Sequence, residues 1–145
     1  MSIYQNVSAL ILRLTLGVIF LVHGLVKFQS GLSNIAGWFN SIGLPSFLAY
    51  IVAIGELAGG ILLIIGLLTR MTSSFLAIIM IGAIFTVKLP AGLLGNDNTG
   101  GYEFDLALLA MALSLVFTGS KWLAVDAYLP FTNRESLSEA DQTTT

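Results

Sequence analysis

Four long apolar runs divide the chain, separated by short polar or glycine-rich stretches. They cover residues 7–28, 46–68, 72–89 and 102–119. At about 1.5 Å per residue, runs of this length cross a hydrocarbon core of roughly 30 Å. The pattern predicts an all-α membrane protein, a four-transmembrane-helix bundle with the N and C termini on the same side. Between the first two runs, residues 29–45 are weakly polar and carry Trp38 and Phe39, which suit a short amphipathic turn at a membrane interface. Gly43 and Pro45 punctuate that stretch, and Ser46 is placed to cap the second helix. Pro90 ends the third run and Gly119 the fourth. Residues 1–126 read as one membrane domain, and residues 127–145 as a polar, disordered tail.

Composition strengthens this reading. Of 145 residues, 56% are hydrophobic and only 10% charged, with mean hydropathy +0.90. A soluble domain carries about 25% charged residues. With net charge −2 and no basic patch, nucleic acid is not an expected partner; the lipid bilayer is. The chain has no cysteine and one histidine, so iron–sulfur ligation, bis-histidine haem and zinc–thiolate sites are excluded, and no other metal site is readable. The first helix lacks a basic lead and a clear cleavage site, and is expected to remain in the mature chain. Arg70, Lys121 and Arg134 fall on the side of the termini. The positive-inside rule therefore predicts a multi-pass protein of the plasma membrane with cytoplasmic termini.

The first run is unusual because residues 13–27 keep Arg13, His23 and Lys27 within an otherwise apolar helix. At about 100° per residue, Arg13 lies within roughly 80° of the other two, so the three share a stripe. Ionisable side chains in a membrane helix face protein, water or ligand. Each remaining helix adds members: Glu56, Lys88, and the group Tyr102, Glu103 and Asp105. These residues form a candidate polar pocket, a funnel open to one side and closed inward by Arg13 and Glu56. Simpler roles stay open: an Arg13–Glu56 ion pair fixing helix register, lysines snorkelling to headgroups, acids stabilising a helix start. Gly55, Gly59 and Gly60 are candidates for close helix packing.

The ordered set Arg13…Gly17…His23-Gly24…Lys27, Gly55-Glu56…Gly59-Gly60…Gly66…Thr69-Arg70, Gly100-Gly101-Tyr102-Glu103 and Gly119…Asp126 resembles the DoxX family of small four-helix membrane proteins across residues 8–126. That resemblance implies the small membrane subunit of an oxidoreductase system, with quinone and another protein subunit as expected partners. A pocket of cations, carboxylates and one imidazole suits a quinone head group or a small reductant, whose oxidation and reduction move protons. A non-catalytic adaptor that recruits a soluble redox enzyme is the alternative, and a small transporter the third choice. No motif names a substrate.

Overall fold

The computed structural model describes residues 2–120 and 122–128. Lys121, Arg134 and the predicted tail from residue 129 onward lie outside them. The described chain is helical, with one two-stranded hairpin. Helix α1 spans Ile3–Gln29, α2 Leu32–Ser41, α3 Phe47–Ile65, α4 Thr69–Ala83 and α5 Glu103–Thr118. Beyond Ala83, α4 continues through a π turn, Ile84–Lys88, and a 3-10 turn, Leu89–Ala91. Strands β1 (Gly95–Asn96) and β2 (Thr99–Gly100) pair antiparallel in the α4–α5 connection. A last 3-10 turn covers Val125–Tyr128.

Three of the helical segments, Ile3–Gln29, Phe47–Ile65 and Thr69–Ala91, are long and apolar enough to cross a membrane. Helix α5, with 16 residues, reaches only about 24 Å. The burial pattern of α1 shows what its surroundings must be. Arg13, Leu16, Gly17, Phe20 and Gly24 form its buried stripe. Val7, Ile11, Leu14, Val18, Val22 and Leu25 form the exposed one, all apolar and at helical spacing. The outward face is thus the more hydrophobic, as acyl chains require and water would not tolerate.

Packing follows from small residues. Helices α1 and α3 run antiparallel and touch along most of their length. A methyl group on Gly60 would strike the Leu21 backbone, and one on Gly24 the Leu57 backbone. Gly55 and Gly59 instead receive Phe75 and Leu76 of α4. Helix α4 packs along α5, and α5 also touches α1. Leu16, Phe20, Leu63, Leu76, Ala112 and Leu115 fill the centre.

The two boundaries at the α3–α4 turn depart from the sequence reading. Helix α3 ends at Ile65 rather than residue 68, because Gly66 adopts a left-handed φ of +72° and the Leu67 N–H donates back to the Leu62 carbonyl. Helix α4 then starts three residues early, at Thr69, although Leu68 offers no cap of its own. The missing acceptor arrives from far along the chain: the backbone N–H groups of Leu68 and Thr69 donate to the Asp126 carboxylate at 2.6 and 2.8 Å. The interfacial turn is a ten-residue helix, α2, whose Ala36 and Phe39 pack on Ala49.

The glycine seam yields a contrast between two positions. Gly60→Val should lower stability by about 1–3 kcal/mol through overpacking, read as an earlier thermal transition in detergent. Gly82→Ala adds a methyl that meets nothing within 4 Å, and should leave the transition unchanged or raise it slightly.

Candidate functional site

Apart from Arg70 and Glu103, the ionisable groups of the long helices separate into two centres at opposite ends of the molecule. One lies at the end that carries the hairpin, around a cavity of about 480 Å³. Its polar wall consists of His23 and Lys27 from α1, Glu56 from α3, Lys88 from the π turn and Asp105 from α5. Apart from Thr86, the remaining lining is apolar and aromatic, including Phe20, Trp38, Phe39, Phe75 and Phe104.

Glu56 is the buried anchor of that wall, 4% exposed. Lys27 donates to its Oε2 at 2.5 Å, across the α1–α3 seam. His23 and Asp105 also act electrostatically on the Glu56 carboxylate. The pairing is geometrically natural: Gly24 brings the two backbones together one turn before Lys27. A carboxylate in such surroundings needs a counter-charge or hydrogen-bond donors, since an unpaired buried charge costs several kcal/mol.

His23 is held from two directions. Its Nδ1 lies 2.9 Å from the Ile19 carbonyl, which can only accept, so the contact requires the proton on Nδ1. In the neutral ring, Nε2 is then left with a free lone pair. The imidazole also stacks on Phe104, with ring centroids 5.8 Å apart and an interplanar angle of 24°. Among the described residues, Lys88 donates to the Gly100 carbonyl of the hairpin, at 3.4 Å. The π turn beneath it, which ends where Pro90 withdraws an N–H, places Thr86, Val87 and Lys88 all on the cavity.

Arg13 belongs to the other centre. It lies about 15 Å along α1 from His23, with Leu16 and Phe20 buried in the intervening core. Its guanidinium donates to Ser120 Oγ at 3.3 Å, and to the Trp122 and Leu123 carbonyls at 3.5 and 2.7 Å. Gly66 is packed directly against it, and Asp126 acts on it electrostatically. The Arg13–Glu56 pair is therefore not formed, and Arg13 does not close the funnel; it clamps the segment that delivers Asp126 to α4.

Two further candidates also fall off the cavity. Glu103 and Tyr102 do not line it. Residues two apart on a helix point about 200° from each other, so Glu103 cannot share the face that Asp105 presents. Tyr102 precedes the helix, and its N–H is used on the Gly92 carbonyl. Gly55 and Gly59 lie against Phe75 and Leu76 of α4, and Gly60 against the Leu21 backbone of α1. The sequence reading missed Phe104 and Leu108, which line the cavity beside Asp105. Their i, i+4 spacing, with Asp105 between, was the available signal.

The DoxX family model matches residues 8–89. A Bacillus subtilis (strain 168) protein named "Putative oxidoreductase CatD" is 47% identical over 124 residues, covering 86% of this chain and 88% of the relative. An uncharacterized membrane protein of Mycobacterium tuberculosis (strain ATCC 25618 / H37Rv) is 34% identical over 126 residues, 79% of this chain and 77% of its own. An uncharacterized protein of Haemophilus influenzae (strain ATCC 51907 / DSM 11121 / KW20 / Rd) is 30% identical over 124 residues, 85% of this chain and 91% of its own. No solved structure matches significantly.

Two outcomes follow from the division into centres. Lys27→Met, which leaves Glu56 buried without its partner, should cost about 2–4 kcal/mol, and adding Glu56→Gln should recover most of it; thermal unfolding of the two variants in detergent checks the coupling. Arg13→Gln should loosen the segment around residues 122–128, seen as faster amide exchange there, with no change at His23 and Glu56.

Proposed function

The chain belongs to the DoxX family, and we propose that it is the small membrane subunit of an oxidoreductase system whose cavity binds a quinone head group. The observation that carries this reading is the composition of the cavity wall. One side offers a buried carboxylate paired with an ammonium, an imidazole and a second carboxylate; the other sides offer aromatic and aliphatic surface. Specific pockets of this volume are mostly apolar with a few convergent polar groups. A quinone ring needs that combination: flat apolar contact for the ring, and proton exchange at each oxygen as electrons arrive or leave.

His23 is the proton-exchanging group. With Nδ1–H committed to the Ile19 carbonyl, Nε2 is the atom free to take a proton from a hydroxyl or return one to a carbonyl oxygen. The Phe104 ring fixes the imidazole plane. Glu56 holds Lys27 in place as a donor and supplies negative charge to offset an imidazolium. Asp105, at the first turn of α5, connects this wall to the hairpin end, where protons exchange with water. Electrons pass to or from another protein subunit.

The same reading completes the topology. Helix α5 is the fourth span of a four-helix bundle, with Tyr102 and Trp122 as aromatic anchors at its two ends. Both termini then lie on one side of the plasma membrane. Arg70 falls on that side as well, which makes it cytoplasmic. The membrane domain extends through residue 126.

Purified protein in lipid should bind a ubiquinone or menaquinone analogue. Glu56→Gln or His23→Ala should weaken that binding at least tenfold, measured by titration calorimetry. Absence of binding, or equal binding by wild type and both variants, removes the cavity as the quinone site.

A further inference from the structure

We infer that the cavity is entered sideways from the bilayer, through a gap between α3 and α4, and that its ligand is a quinone with a hydrocarbon tail rather than a water-soluble ring compound. The inference rests on the quinone reading above and adds the route and the ligand class.

The cavity walls are not equally closed. Helices α1 and α3 meet backbone to backbone at Gly24–Leu57 and Gly60–Leu21, which leaves no passage. Helices α3 and α4 meet differently. Toward the Arg13 end they are joined by Leu76 on Gly59 and by Phe75 on Gly55. Above that sill, Ile51 on α3 and Ile78 and Gly82 on α4 line the cavity from its two sides. Ile51 is 47% exposed and Ile78 66%. Exposed side chains that line a cavity from two facing helices without touching mark an opening; the exposed His23 and Phe104 of α1 and α5 instead stack on each other and close their side. A methyl group built on Gly82 meets nothing within 4 Å, so no side chain of α3 covers this turn of α4.

Depth decides what lies outside the gap. Ile78 and Gly82 sit about 14 and 20 Å along the segment that starts at Thr69, in the middle of a span long enough to cross the membrane. The gap therefore faces acyl chains, and at Ile51, Ile78 and Gly82 its rim is apolar; the hydroxyl of Thr86, one turn further on, is spent on the Gly82 carbonyl. Its inner end is the Glu56–Lys27 wall. A molecule passing through meets apolar surface first and polar groups last, which fits an amphipathic ligand with its ring inward and its tail left in the gap. Trp38 and Phe39 of α2 lie over the cavity near the hairpin end, while Lys88 and Asp105 line it there and serve protons.

The cavity carries its own reporter. Trp38 and Trp122 are the two tryptophans of the chain, and only Trp38 lines the cavity. In Trp122→Phe protein reconstituted in nanodiscs, quinone binding is read as quenching of Trp38. Tailless ubiquinone and ubiquinone with a ten-carbon tail are titrated into this protein and into versions that also carry Gly82→Leu or Ile78→Phe. Comparing each variant with its parent, ligand by ligand, cancels partitioning into lipid. The expected result is that either obstruction weakens the tailed quinone at least tenfold more than the tailless one. Equal effects on both ligands overturn the lateral route and leave the quinone site standing. Displacement of the tailed quinone by an equal mole fraction of plain C10 alkane also overturns it, because the gap is then a seat for any acyl chain. Failure of both quinones to quench Trp38 in the parent overturns the quinone reading itself, and the route with it.

Discussion

Hydrocarbon outside the helices forces every ionisable side chain of their buried lengths to find its partner within the protein. The exposed stripe of α1 is aliphatic at every turn, while its buried stripe contains an arginine and the glycines that admit α3. Burial here does not sort apolar from polar as it does in water. It sorts groups that need a partner from groups that do not, and the fold is the arrangement in which those partners exist.

Two partner sets result, and they are built differently. Around Arg13, the acceptors are backbone carbonyls and a serine hydroxyl from a segment more than a hundred residues away in sequence. Asp126, in that same segment, closes the open N-terminus of α4. This end is a clamp: it ties the last described turn to α1, α3 and α4 with little space left over. At the hairpin end, the Lys27–Glu56 pair holds α1 to α3, but α2, the π turn and α5 stand back from it and enclose open volume. One end is thus close-packed and the other encloses a cavity: the packed core fixes the helix frame, and the ionisable groups of the hairpin end line the open volume.

The glycines show how local choice serves both ends. Gly24 and Gly60 remove side chains where α1 and α3 cross, and that closeness brings the Lys27 ammonium within reach of Glu56. Gly66 does related work beside Arg13, where a left-handed backbone and the lack of a Cβ make room for the guanidinium and Ala124. The departure from regular helix at Ile84–Lys88 widens α4 where the cavity needs lining groups.

Much of this was written in the chain. Hydropathy and its breaks placed the long helices to within a few residues, since run length against membrane thickness leaves few alternatives. Retention of His23, Lys27 and Glu56 in apolar helices singled them out, because lipid does not tolerate such groups without partners; they line one cavity together with Asp105 and Lys88 from helix ends. The family resemblance followed from ordered glycines and charges. Pairing was not legible. Arg13 shares a helical stripe with His23 and Lys27, yet depth along α1 separates them, and its acceptors are backbone carbonyls that carry no sequence signature. Asp126 as the cap of α4, Phe104 beneath His23 and the gap between α3 and α4 likewise depend on contacts between distant segments. Periodicity fixes which face of a helix a residue occupies; only tertiary packing decides which neighbour meets it there.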